Sequence, residues 1–237
     1  MQLAKRIEIF GDSLMKGVLL DSKSKRYHML PKENIESFAR AFALDIQNQS
    51  RFGCTITKGW QLLQRALGQE MHSDMVLLEY GGNDCDFDWK EVAAAPDAEH
   101  QPHTPLPLFV ETYEAMIDAL RARQLIPIVM SLPPIDAERY FAWITRGGLS
   151  QSAILRWLGD VQMIYRFHEL YSNTATRIAR EKNCLFVDVR PAFLQRRDYR
   201  TLMCEDGIHP NEQGHRVVAQ TFARFAADYL GVPLAGV

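Results

Sequence analysis

Cysteine is scarce and scattered in this 237-residue chain: Cys54, Cys85, Cys184 and Cys204 form no CxxC pair. That spacing gives no footing for a disulfide framework or a zinc site, and it points to a reduced, cytoplasmic protein. No apolar stretch approaches the ~20 residues that a membrane span needs. Met1 to Arg6 runs straight into an apolar segment without the charged-then-apolar layout of a secretory leader. Charge of one sign is also missing: 27 Lys and Arg stand against 29 Asp and Glu, a formal net charge of -2. Nucleic acid and anionic membrane therefore have no electrostatic claim as partners. Neither an internal repeat, a low-complexity run nor an interdomain linker interrupts the chain, so a single domain over residues 1–237 is expected.

Apolar residues make up 47% of the chain, enough for a sizeable core, and their spacing says how it is built. Short apolar runs end at Phe10, near Gln49, and at Tyr80, Leu132 and Asp188, the second of them over Asp45 to Gln49. The run Met75 to Tyr80 is continuous, as expected of a central strand covered on both faces. Between the runs, apolar residues recur at helical intervals: Ile35, Phe38, Ala39 and Phe42; Trp60, Leu63 and Leu67; Tyr113, Met116, Ile117 and Leu120; Val161, Ile164, Tyr165, His168, Ala175 and Ile178; then Asn211 to Leu230. Strand and helix alternating five times predict an α/β class protein, a three-layer α/β/α arrangement on a five-stranded parallel sheet. Three stretches fall outside the alternation. Met15 to Lys32, rich in Lys and Arg, reads as a solvated loop. Residues 85–107 form a long Pro-rich connection, and 136–159 is an aromatic-rich insertion broken by Gly147-Gly148.

Ligands of open parallel sheets bind outside the carboxyl ends of the strands. Ser13 follows the first strand in Gly11-Asp12-Ser13-Leu14, Gly53 follows the second, and Asn83 follows the third in Gly81-Gly82-Asn83-Asp84. Asp206-Gly207-Ile208-His209 follows the fifth, just before the last helix. A serine hydroxyl is a weak nucleophile at neutral pH. It needs a base within hydrogen-bond reach, a group that orients the base, and donors for the oxyanion.

On these four blocks, which occur in order and span residues 7–215, the chain resembles the GDSL-type esterases and lipases of the SGNH hydrolase superfamily. The resemblance implies a flavodoxin-like fold, Ser13 as nucleophile, His209 as general base and Asp206 as the acid that holds the imidazole. It also implies an oxyanion hole made by the backbone N–H groups of Ser13 and Gly53 and the side-chain amide of Asn83, with no metal and no cofactor. The second block departs from the family pattern: it reads Ser50-Arg51-Phe52-Gly53-Cys54-Thr55, with Asn48 in place of the usual Asn nearer the Gly. Gly59 is the alternative to Gly53.

Plainer roles compete for several residues. Ser13 can cap a helix, Asn83 can serve a left-handed turn, and His215 is a second candidate base. Asp12, Glu79 and Asp84 read as hydrogen-bonding or capping acids. His100 and His103 with Asp97 and Glu99 make a loose metal-like cluster in a loop ill-suited to hold one, and Cys85 and Cys204 read as small buried fillers. The aromatics from Tyr140 to Trp157 either pack on the long helix or wall the site. The expected substrate is a small-molecule ester with a short acyl group, O-acetyl groups on carbohydrates among the candidates. Thioesterase or acyltransferase chemistry would use the same residues, and a catalytically silent carbohydrate-binding or scaffolding protein is the alternative of another class.

Overall fold

A computed structural model describes residues 5–69 and 71–231. In chain order it contains β1 (Lys5–Phe10), β2 (Val18–Leu20), β3 (Tyr27–Met29), α1 (Lys32–Ala41), β4 (Leu44–Asn48), α2 (Ile56–Leu67), β5 (Met75–Leu78), α3 (Trp89–Ala94) and α4 (Leu106–Ala122). It continues with β6 (Ile126–Met130), α5 (Ala137–Thr145), α6 (Gln151–Leu158), α7 (Gln162–Glu181), β7 (Leu185–Val187), α8 (Arg190–Leu194), a 3-10 turn at Tyr199–Leu202 and α9 (Glu212–Leu230).

The main sheet has the order β4-β1-β5-β6-β7, and every pairing in it is parallel. Counting only its own strands this is 2-1-3-4-5, the flavodoxin-like order, in which the chain changes direction of travel across the sheet between β1 and β5. Residues just beyond the carboxyl ends of those two strands therefore face one crevice.

Side chains of the central strands alternate between two cores, as the period of a pleated strand requires. Phe10, Val76, Leu78 and Val129 point to one face, where α2, α4 and α7 bring Leu63, Tyr113, Met116, Ile117, Leu120 and Ile178. Ile9, Met75, Leu77, Ile128 and Met130 point to the other, where Phe193 and Val218 come from α8 and α9. All four residues of β5 are buried, as a strand covered on both faces must be. Each such aliphatic side chain contributes about 1.5–3 kcal/mol by leaving water. Of the apolar positions assigned to the first helix, Phe38 and Phe42 pack against Ala223, Ala226 and Ala227 of α9; the side chain of Ile35 lies outside the described residues.

A third cluster sits over the carboxyl ends of the strands. Phe87, Trp89 and Val92 meet Ile135, Tyr140, Ile154, Leu158 and Ile164 there, so the long connection and the aromatic-rich insertion fold together rather than separately. The ends of their helices are closed by local hydrogen bonds: Asp88, Asp136 and Ser150 accept from backbone N–H groups in the first turns of α3, α5 and α6, each cap contributing about 1 kcal/mol.

One expectation needs correction. Met15 to Lys32 is not a plain solvated loop, because β2 and β3 form an antiparallel hairpin within it. Val18, Leu19 and Leu20 are buried, and the cationic residues Lys23, Lys25 and Arg26 occupy the exposed turn between the strands. The charge run marked the turn and masked the short apolar strand beside it.

Candidate active site

The turn after β1 is held from within and from β5. The carboxylate of Asp12 accepts the backbone N–H of Leu14 at 2.8 Å, the N–H of Asp12 donates to Glu79 Oε2 at 3.2 Å, and Val18 N–H donates to the Ser13 carbonyl at 3.0 Å. Ser13 is thereby fixed at the mouth of the crevice, 8% exposed. Its hydroxyl lies 2.9 Å from His209 Nε2. The other ring nitrogen of His209, Nδ1, lies 2.7 Å from Asp206 Oδ2, and the remaining oxygen of Asp206 accepts the N–H groups of Ile208 and His209 at 3.2 and 3.1 Å. Residues separated by 196 positions thus form one hydrogen-bonded chain, Ser13 to His209 to Asp206. With Nδ1–H donating to the carboxylate, Nε2 is left free to accept the serine proton.

Electrostatics favour a charged Asp206. Burial pushes its pKa up, but the hydrogen bond and charge of His209 and the two backbone N–H groups outweigh burial and hold it below the usual carboxylate value. His215, the competing base, does not reach Ser13: its Nε2 is 3.3 Å from the Val18 carbonyl, and burial lowers its pKa to about 4. Neither nearby thiol is a nucleophile in waiting. Burial pushes the Cys85 thiol well up and that of Cys204 to about 11, and their Sγ atoms face the carbonyls of Gly82 and Pro210.

The two candidate glycines separate cleanly. Gly53 has a φ of +64° and open space where a Cβ would point, and it lines the same cavity as Ser13. Gly59 lies inside α2, where a Cβ would meet the Tyr80 hydroxyl at 2.2 Å; that glycine serves helix packing. Asn48 shapes the turn that presents Gly53, donating to the Met15 carbonyl at 2.7 Å and accepting from Ser50 N–H at 3.0 Å. Asn83 lines the cavity as well, with its side-chain amide donating to Asp12 Oδ2 at 2.7 Å. An amide nitrogen carries two N–H groups, so one stays available while the other fixes the orientation. Among the described residues, the backbone N–H groups of Ser13 and Gly53 are not committed to any acceptor.

A group of buried acids lies beside Ser13, two of them, Asp12 and Glu79, in the cavity wall. Asp12, Glu79 and Asp84 are 5%, 1% and 0% exposed, and burial raises the pKa of each, that of Asp84 to about 6. Asp84 Oδ1 accepts the first N–H of α2, that of Ile56, at 2.8 Å. The loose metal-like cluster of the Pro-rich loop is dispersed: His100 hydrogen-bonds the Ala95 carbonyl, His103 the Asn83 carbonyl, and Asp97 pairs with Arg156.

The cavity in front of Ser13 has a volume of ≈ 380 Å³. A larger one, ≈ 690 Å³, opens beneath α1 and α9 and is lined by none of Ser13, Asp206 or His209. The exposed and the buried residues that line the smaller cavity differ in character. Tyr27 and Phe52 lie against the His209 ring at centroid distances of 5.1 and 6.0 Å and are 39% and 53% exposed. Trp143 stands 6.4 Å from Tyr27 and carries the Arg146 guanidinium on its face. Further in, Tyr140 donates to Asp86 Oδ2 at 2.5 Å, and Trp89 Nε1 donates to Asp86 Oδ1 at 2.9 Å. The aromatic-rich insertion divides accordingly. Tyr140 and Trp143 wall the cavity, whereas Trp157 packs on Phe87 and Phe167. Tyr27 was hidden from sequence reasoning by the charged turn beside it, and Asp86 and Tyr140, 54 residues apart, had no local signal linking them.

Fold and contacts together define a class: a flavodoxin-like α/β/α protein carrying a hydrogen-bonded serine, histidine and aspartate where its sheet changes direction. Residues 9–217 match the GDSL-like lipase/acylhydrolase family, and the chain belongs to that family. Among curated relatives it is 23% identical over 184 residues to the GDSL esterase/lipase WDL1 of Oryza sativa subsp. japonica, covering 76% of this chain and 64% of that protein's length. Its fold is shared by a lipase/acylhydrolase from Enterococcus faecalis (TM-score 0.62, 18% identity, 98% and 100% of the two chains). It is shared equally by a catalytic mutant of Axe2, an acetylxylan esterase from Geobacillus stearothermophilus (TM-score 0.63, 18% identity, 100% of both chains).

Proposed function

We propose that the protein is a serine esterase that cleaves small carboxylic esters through an acyl-enzyme, with Ser13, His209 and Asp206 as its catalytic residues. The observation that carries this reading is the pair of contacts to one imidazole, 2.9 Å to Ser13 Oγ and 2.7 Å to Asp206 Oδ2. Ser13 Oγ attacks the ester carbonyl as His209 Nε2 takes its proton, and Asp206 stabilises the imidazolium that forms. The oxyanion is received by the N–H groups of Ser13 and Gly53 and the free amide N–H of Asn83, whose direction Asp12 sets. Each preorganised donor of this kind lowers the barrier by about 3–4 kcal/mol. Collapse expels the alcohol, which takes the proton from His209. A water then gives its proton to the same imidazole, attacks the acyl-enzyme and releases the acid.

The alcohol must leave from the side on which His209 can protonate it. That side is the exposed mouth, where Tyr27, Phe52 and Trp143 offer aromatic faces to a flat or ring-shaped group such as a sugar. The fold shared with an acetylxylan esterase is consistent with O-acetylated carbohydrate as a substrate. The four cysteines, all unpaired, accord with a reducing, cytoplasmic setting. The test is hydrolysis of p-nitrophenyl acetate by the wild type and by Ser13→Ala. Turnover is expected in the first, and a loss of about 10⁴-fold or more in the second with the thermal transition retained. Undiminished turnover in the variant would rule out Ser13 as nucleophile.

A further inference from the structure

Among the described residues that line the cavity in front of Ser13, Arg146 is the one Lys or Arg, set against the carboxylates of Asp12, Glu79 and Asp86. Those acids are withdrawn or engaged: Asp12 and Glu79 are buried, and the two oxygens of Asp86 accept from Tyr140 and Trp89. Arg146 closes α5 and is exposed. Its guanidinium carbon sits 3.5 Å over the Trp143 ring, and Nη1 donates to the Trp143 carbonyl. The arginines before and after it, Arg139 and Arg156, pair with Asp136 and Asp97. Among the described residues Arg146 has no carboxylate partner, and its Nε and Nη2 have no acceptor. Its charge is felt at the mouth of the cavity. Burial, then the charge of Asp206, holds the Tyr27 phenol above its ordinary value, and the charge of Arg146 acts against both. Two further cations, Arg26 and Arg51, are exposed next to Tyr27 and Phe52 in the chain, and among the described residues neither is ion-paired. In a chain of net charge -2, this sign is local to the mouth.

Resting on the esterase reading above, which puts the departing alcohol at the mouth, we propose that Arg146 is a specificity residue. It pairs with an anionic group, a carboxylate or a phosphate, on the alcohol portion of the substrate. The stack on Trp143 orders the guanidinium before any ligand arrives, and its free N–H groups form the planar fork that meets two oxygens of such an anion at once. Two ring contacts, Trp143 to Tyr27 at 6.4 Å and Tyr27 to His209 at 5.1 Å, separate it from the base. The anion therefore belongs on the far side of the acylated ring or on the next ring, not on the acyl group, which would meet Asp12 and Glu79 beside Ser13. A neutral sugar still stacks on the aromatic faces but leaves the guanidinium to water. The substrate class is thus an acyl ester of an acidic saccharide, a uronic acid or a sugar phosphate.

The test measures acetate release from O-acetylated methyl glucoside, methyl glucuronoside and methyl glucoside 6-phosphate, and from acetylated disaccharides that carry the same three rings in second position. The proteins are the wild type, Arg146→Gln, Arg146→Lys and, as a control at the exposed hairpin turn, Lys23→Gln. In the wild type at low salt, kcat/KM is expected to favour at least one acidic ester over its neutral match by about three- to fivefold, the worth of a partly exposed ion pair, mainly through KM. Which acid is favoured separates carboxylate from phosphate. The ratio should approach one in Arg146→Gln, be partly restored in Arg146→Lys, which keeps the charge without the fork, stay unchanged in Lys23→Gln, and shrink in about 0.5 M salt. Calorimetric titration of the deacetylated sugars into Ser13→Ala, with and without Arg146→Gln, reads the preference without turnover. No hydrolysis of any ester, p-nitrophenyl acetate included, alongside Arg146-dependent binding of an acidic sugar, would overturn the esterase reading and leave Arg146 as an anion-binding residue. Turnover of p-nitrophenyl acetate with equal ratios in wild type and Arg146→Gln would overturn the Arg146 assignment alone. So would an equal fall in Lys23→Gln, since the preference would then come from the field of the whole face and not from one pair.

Discussion

His209 and His168 are almost equally withdrawn from water, at 4% and 5% exposure, and both line one cavity, under opposite terms. His209 has a partner on each nitrogen, and the carboxylate beside it is held in the charged form. His168 has no partner on Nδ1 and a guanidinium for a neighbour, and it is driven neutral. The difference between the two rings lies in their partners, a serine hydroxyl and a carboxylate for one and none on Nδ1 for the other. The buried acids follow the pattern of His168: among the described residues no cation pairs with Asp12, Glu79 or Asp84, and their pKa values are raised.

The contrast is most sharply broken by removing the compensation at His209. Asp206→Asn keeps the shape but no longer stabilises the imidazolium or enforces the tautomer that leaves Nε2 free, and kcat is expected to fall by about 10³–10⁴-fold. Steady-state hydrolysis of p-nitrophenyl acetate checks this, and a loss under tenfold would mean that Asp206 does not hold the base. Next in size is Asn83→Ala, which deletes a proposed oxyanion donor. It should lower kcat by about 10²–10³-fold with KM little changed; a change confined to KM would make Asn83 a ground-state contact only.

The smallest expected effect is thermodynamic and concerns the uncompensated acids. The folded-state pKa of Asp84, about 6, lies above its unfolded value near 3.8. The folded protein therefore holds a proton between those limits that the unfolded chain has lost, and stability falls as pH rises from 4 through 6. Asp84→Asn removes that slope while still accepting from Ile56 N–H. Between pH 4 and 7, denaturant titrations should show the wild type losing about 2–3 kcal/mol relative to the variant. Parallel curves would show that Asp84 is charged at no net cost, paired through groups such as ordered water.

The sheet, and the meeting of Ser13, Asp206 and His209 at its carboxyl edge, were legible in the sequence because both leave local patterns. Continuous apolar runs marked the buried strands; Ser13, Gly53 and Asn83 follow three of them closely, and Asp206 with His209 stands just before the last helix. The choice between Gly53 and Gly59 was open until the packing of α2 on Tyr80 placed Gly59 in the core. What stayed hidden depends on contacts between distant segments. The hairpin carrying Tyr27 was masked by the cationic turn at its tip. Asp86 and Tyr140 meet only when two connections fold over the strand ends. His168 looked like one more position on the buried face of α7, and its one distinguishing sign, a lone imidazole in an otherwise apolar stripe, is shared by ordinary core histidines.

The central claim is that Ser13 is activated by the imidazole 2.9 Å away. The measurement that addresses it most directly is covalent labelling with a fluorophosphonate, followed by intact mass and peptide mapping. One adduct per chain on Ser13, absent in Ser13→Ala and formed at least about 10³-fold more slowly in His209→Ala, is the expected result. An adduct on another residue, or labelling of Ser13 at an unchanged rate without His209, would contradict it.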